Sequence, residues 1–165
     1  MHTPTDPRKC LSLQYAHDLR AGADQVFPLL CPVREYEWID HWRCDLVHTT
    51  SGLVEKGCVF VTEYPSEGRT LWVTTVHDPA ARRVEFVRVT GDELMTLMSV
   101  RVEPEGDGCR LHVGYLLVAL DAAGQAVVDS FRAHGAPHAE VVRDLAHRLE
   151  HFIATGRMPP GDAAR

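Results

Sequence analysis

The chain has 165 residues, 45% hydrophobic and 24% charged; this ordinary globular composition, with no apolar run near the roughly 20 residues of a spanning helix, speaks against disorder and against a transmembrane helix. A formal charge of -6 with no Lys/Arg cluster excludes a nucleic-acid surface, which needs a basic face to meet phosphate. The five cysteines (Cys10, Cys31, Cys44, Cys58 and Cys109) are odd in number, widely spaced and without a CxxC pair, so reduced thiols are expected rather than a disulfide framework or a zinc knuckle.

Residues 1–10 read as a polar leader. The opening "MHTPTDPRK" lacks the apolar core of a signal peptide, and a cytoplasmic protein is expected. Leu11, Leu13 and Tyr15 alternate as in a first strand. Residues 23–30 read as a short helix, ended by Pro32 because proline disfavours helical geometry in the residue before it. A second short helix is expected from Pro32 to about Ile39. Six strand-like runs follow between Arg43 and Asp121, separated by "TSGLVEKG", "PSEG", "DPAA", "GD" and "PEGDG", segments rich in turn-forming residues. Residues 125–155 read as a helix, with either a kink or a new start at Pro137. Its later part carries Val141, Val142, Leu145, Leu149, Phe152 and Ile153 on one stripe, with Arg143, Asp144, His147, Arg148, Glu150 and His151 opposite. Residues 156–165, ending "PPGDAAR", read as a frayed tail, leaving 11–155 as a single domain.

One strand, two small helices, six antiparallel strands and a long amphipathic helix make an α+β protein. A curved sheet of about seven strands wrapped around the C-terminal helix buries both apolar faces. "ADQVFPLLCPVREYEWIDHW" is similar to a helix pair ending in a tryptophan near the second strand, and "VEKGCVFV" to a glycine-led third strand. With the kinked terminal helix, these resemble the START-like superfamily, also called SRPBCC or Bet v 1-like, including its polyketide cyclase/dehydrase branch. The resemblance implies the helix-grip fold and a hydrophobic cavity between sheet and long helix. It carries no catalytic signature, and the superfamily includes lipid carriers, hormone receptors, cyclases and chaperone regulators.

Strand parity, with the charged residues turned outward, sends Phe60, Thr62 and Tyr64, then Trp72, Thr74 and Val76, then Val84, Phe86 and Arg88 to the inner face. Thr96, Met98 and Val100 follow, then Leu111, Val113, Tyr115 and Leu117. Such a wall reads either as plain core or as a pocket, apolar with sparse hydroxyls. Arg88 needs a counter-charge if buried, from a ligand carboxylate or Glu37, unless it reaches solvent at the strand end. His134 and His138, four apart, are phased with Phe131 toward the sheet. They read as core or pocket-edge residues, as ligand hydrogen-bonding or acid-base groups, or as two metal ligands lacking an evident third. Trp38 and Trp42, with Tyr36 and Ile39, are expected to close one end of the cavity.

No nucleophile, phosphate loop or cofactor motif stands out, and no metal or cofactor is expected. Binding of a small hydrophobic or aromatic molecule, lined by the tryptophans and inner-face residues named above with Phe131, His134 and His138, is the leading expectation. A cyclase- or aromatase-like enzyme using the same cavity is the alternative, its catalytic residues unassigned. A chaperone-regulator-like interaction module would instead need an exposed apolar patch. A homodimer through exposed strands or helices would be unsurprising.

Overall fold

The computed structural model describes residues 6–65 and 67–159, with only the backbone at 136 and 137. Seven strands, β1 (Cys10–Leu19), β2 (Asp45–His48), β3 (Val59–Tyr64), β4 (Gly68–Asp78), β5 (Arg83–Thr90), β6 (Leu94–Glu105) and β7 (Gly108–Ala119), form one curved antiparallel sheet. Their order is β1-β7-β6-β5-β4-β3-β2, so the first strand pairs with the last and the others follow as hairpins. Gly57, at φ 87°, supplies the left-handed turn that leads into β3, a conformation costly for a residue with a Cβ.

Pairing aligns the inner face in rows. Trp72, Arg88, Thr96, Leu117 and Leu11 stand side by side; Thr74, Phe86, Met98, Tyr115 and Leu13 form the next row. Parity fails at one expected position. A bulge between Thr74 and Val76 inserts a residue into β4, so Val76 pairs with Glu85 and leaves the inner face. His77 takes the inward place instead, stacked on Phe27 at 5.8 Å between ring centroids.

Both short helices are briefer than the sequence pattern suggests. The first is a single turn, α1 (Ala23–Val26), followed by a 3-10 turn at Phe27–Leu29. Pro28 has no N–H with which to continue the α ladder. The second shrinks to a 3-10 turn at Glu35–Glu37, a segment too short to propagate as an isolated helix and held by side-chain bonds to its own backbone.

The long helix, α2 (Ala122–Thr155), is capped by Asp121, whose side chain accepts from Gly124 N–H at 2.9 Å. Gly124 is required there: a Cβ would stand 1.9 Å from the Glu93 carbonyl oxygen. The helix breaks at His134 (φ -134°, ψ 40°) rather than at Pro137, since the missing proline N–H frees a carbonyl one turn earlier. Beyond the kink, Val142, Ala146 and Leu149 are buried against the sheet with Leu145, Phe152 and Ile153 around them. Two positions depart from the expected stripe. Val141 is exposed, and Arg148 is buried, its guanidinium held by Asp144 at 2.7 Å and facing Asp40 at 3.8 Å. The helix packs on β1 and β7 and ends at Gly156 in the left-handed region (φ 66°). Of the tail expected from residue 156, only the part to Pro159 lies within the described residues.

Candidate functional site

Under the first half of α2, the inner faces of β1 and β7 meet the kink. His138 lies there with its Nδ1 3.0 Å from the Tyr15 hydroxyl. The rings of Tyr15, Tyr115 and Phe131 surround the imidazole at 5.3, 4.9 and 5.1 Å. Two turns separate Phe131 from His138, so both face the sheet across the kink. Burial, with a smaller effect from the Arg88 charge, pushes the His138 pKa down, favouring the neutral ring. The Tyr115 hydroxyl is pushed up to about 12, chiefly by burial, and stays protonated. His134, expected beside His138, is instead exposed at the kink and takes no part in this cluster, because the non-helical backbone there breaks the i, i+4 phase. Among the described residues no group of three or more His, Cys, Asp or Glu is placed to hold a metal ion.

The β3–β4–β5 side is packed differently. Phe60 and Trp72 stack at 5.4 Å, and Phe86 meets both edge-on at 6.1 and 5.9 Å. Trp72 Nε1 donates to Thr62 Oγ1 at 2.9 Å, satisfying two buried polar groups at once. Thr74 and Thr96 are buried in the neighbouring rows. Arg88 lies over the Trp72 ring, 4.9 Å from its centroid, a cation–π contact. Its counter-charge is Glu67 at 3.3 Å. Glu37 instead pairs with Arg34 at 2.8 Å, because the 3-10 turn points it outward. Among the described residues the buried Arg88 Nε atom has no hydrogen-bond partner.

The aromatic segment between Leu29 and Cys44 is held by bonds to its own backbone. Trp38 is buried and donates from Nε1 to the Leu29 carbonyl at 3.1 Å; Trp42, half-buried, donates to the Pro32 carbonyl at 2.7 Å and faces Tyr64 at 6.4 Å. Tyr36 is exposed, its hydroxyl bridging the backbone N–H and carbonyl of Cys44. The tryptophans thus tie the segment to itself while their rings face the core.

Glu35, Tyr15 and Glu67 were not singled out among the sequence candidates. Glu35, Trp38, Ile39 and Trp42 follow the spacing i, i+3, i+4, i+7, a stripe headed by a carboxylate, which is the signal that would have exposed the first. Burial pushes the Glu35 pKa up to about 8. Tyr15 stands at the inward parity of β1, whereas nothing in the turn "PSEG" marks Glu67 as the partner of an inner-face arginine.

Arg88, Met98, Tyr115, Tyr15 and His138 belong to the inner rows and α2, yet each is only half-buried, unlike Phe60, Val84 or Thr96 beside them. Two depressions, of about 350 and 250 Å³, lie elsewhere, one where the β6–β7 turn meets the end of β1 and one on the outer sheet face around Gly114.

No family model matches the chain. No curated protein sequence matches it either. Solved structures do. The protein Ara h 8.0201 superposes with a TM-score of 0.62 at 10% identity, over 88% of this chain and 99% of its own. Norcoclaurine synthase from Thalictrum flavum, in complex with dopamine and hydroxybenzaldehyde, gives 0.61 at 12% identity over 96% and 98%. DynU16, from the dynemicin biosynthetic locus, gives 0.61 at 15% over 88% of this chain and 48% of that longer one.

Proposed function

We propose, for a chain with the helix-grip fold of Bet v 1-like proteins, that it binds a small hydrophobic or aromatic molecule between the sheet and α2. The supporting observation is the polar-edged ring cluster of His138, Tyr15, Tyr115 and Phe131 on a largely apolar inner face. Sparse polar groups on an apolar wall orient a ligand without providing most of its affinity. Arg88, whose buried Nε–H has no acceptor among the described residues, adds a second orienting group. Trp38, Trp42, Phe60, Thr62, Trp72, Thr74, Phe86, Thr96 and Met98 line or support that space, and the two tryptophans close its end. His134 is left out of the proposed lining because it is exposed. Norcoclaurine synthase with its bound dopamine and hydroxybenzaldehyde illustrates this fold holding small aromatic molecules. Native mass spectrometry of the freshly purified chain, with analysis of whatever denaturation releases, tests the reading. A retained aromatic molecule supports it. A bare chain that also leaves its tryptophan fluorescence unchanged across a panel of small aromatic compounds refutes it.

A cyclase-like enzyme is the second reading, favoured by titratable groups displaced in opposite directions: His138 toward the neutral base and Glu35 toward the neutral acid. A product differing in mass from an added poly-β-ketone, lost on His138→Gln, supports that reading. Edge strand β2 leaves Leu46 and Val47 exposed; this supports a contact with a second copy or a partner protein, tested by light scattering. Five free thiols fit a reducing, cytoplasmic setting, and no helix among the described residues is long and apolar enough to cross a membrane.

A further inference from the structure

An antiparallel sheet with one side in water carries polar residues on that side. Half of the outer sheet face follows this rule, with Arg83–Glu85, Arg101–Glu103 and Arg110–Asp18 paired across it. Toward the β5–β6 turn the pattern stops. Leu71, Val89, Met95 and Val118 stand side by side in one outward row, which Cys10 of β1 continues. Val73, Val87, Leu97 and Leu116 form the next, continued by Ser12. Neither row holds a charge. None of these eight apolar side chains is buried, and Leu71 and Leu97 are 36% and 42% exposed. Runs such as "LWV" and "YLLVAL" are thus apolar toward both faces, the pattern of strands covered on both sides. The adjoining row, Gln14, Gly114, Ser99 and Glu85, holds the depression of about 250 Å³, also lined by Leu97 and Leu116. Gly114 forms its floor: a Cβ there would stand 2.7 Å from Ser99 Oγ.

We infer that two copies of this chain pair face to face through this half of the outer sheet, leaving the inner face and its ligand site untouched. The area suffices. With strands about 4.8 Å apart and like-facing residues about 6.8 Å apart, the two apolar rows and one flanking row on each side cover about 650 Å² across five strands. A pair would bury about 1,300 Å² in total, within the roughly 1,200–2,000 Å² of specific interfaces, with an apolar centre and a polar rim. The face is also self-complementary, as a two-fold contact requires. Leu71 is a projection and Gly114 a notch, three strands and two rows apart. A two-fold axis midway between them seats each copy's Leu71 in the partner's notch. That midpoint falls between Val87 and Leu97, so Leu97 meets its own counterpart.

Sedimentation velocity of the full chain over a concentration series tests the pairing. The wild type is expected to dimerise with a micromolar dissociation constant, the weak end for an interface of this size. Leu97→Glu and Leu97→Lys each set like charges against one another across the axis. Either should weaken the dimer at least about 100-fold, because symmetry applies a roughly tenfold penalty twice. An equimolar mixture of the two variants should dimerise again, an outcome that a merely structural role for Leu97 would not produce. Leu71→Glu removes the projection and should also leave monomers, which keeps the test decisive if a Leu97 variant does not fold by its urea midpoint. Val47→Glu, on the exposed edge strand β2, should leave the dimer intact. A wild type that stays monomeric up to about 1 mM, a mixture of folded Leu97 variants that stays monomeric, or a dimer that survives Leu71→Glu overturns the inference. A dimer lost on Val47→Glu but kept in Leu97→Glu overturns it in favour of pairing through β2.

Discussion

The two sides of the inner face are built from similar aromatic residues and behave as opposites. At β3–β4–β5, Phe60, Trp72 and Phe86 pack ring on ring, and the Trp72 N–H ends on Thr62. At β1–β7–α2, Tyr15, Tyr115 and Phe131 surround an imidazole, and the cluster stays half-buried. Aromatic content therefore does not distinguish core from site here. The distinction is whether the polar edges are satisfied within the protein at full burial or remain titratable beside accessible surface.

Four substitutions or titrations test that contrast. Phe60→Ala, at a residue 2% exposed, should cost about 3–5 kcal/mol in urea unfolding. A loss below about 1 kcal/mol would mean that this side is not tightly packed. Thr62→Val keeps the volume but strands the Trp72 N–H, and should cost about 1–3 kcal/mol; no change would show the bond with Trp72 to be energetically idle. Tyr15→Phe removes only the hydroxyl that meets His138 and should cost about 1 kcal/mol. If it costs as much as Phe60→Ala, the ring cluster is core after all and the contrast collapses.

The smallest effect is a pH dependence. Burial lowers the His138 pKa from 6.5, so below pH 6.5 the unfolded chain binds the proton more readily than the folded one. Stability tied to this group is therefore present above 6.5 and lost as pH falls through the lower folded value. Urea midpoints for wild type and His138→Gln should diverge between pH 7 and pH 5, the wild type losing more. Parallel curves would mean that His138 is solvated.

Much of the fold was legible in the chain itself. All six strands after the helical segment appear at the expected places, because alternation and turn-forming separators are local signals with a period of two. Parity holds wherever no residue is inserted and fails for Val76 and His77, where a bulge determined by pairing with β5 shifts the count. The candidate site was less legible. Phe131, His138, Tyr115 and Arg88 were visible by phase and parity, but their partners were not: Tyr15 for the imidazole, Glu67 for the guanidinium. Those contacts join residues 123 and 21 positions apart, and no local pattern encodes such distances.

What the sequence alone determined was the order of elements, the face each strand buries and the presence of a helix break near Pro137, since these follow from backbone chemistry within a few residues. Tertiary structure alone decided that the break falls at His134 and turns that histidine to solvent. It also decided that Arg88 is neutralised by Glu67 rather than Glu37. Burial and charge pairing are properties of what surrounds a side chain, and in this protein those surroundings come from strands and turns distant in the chain.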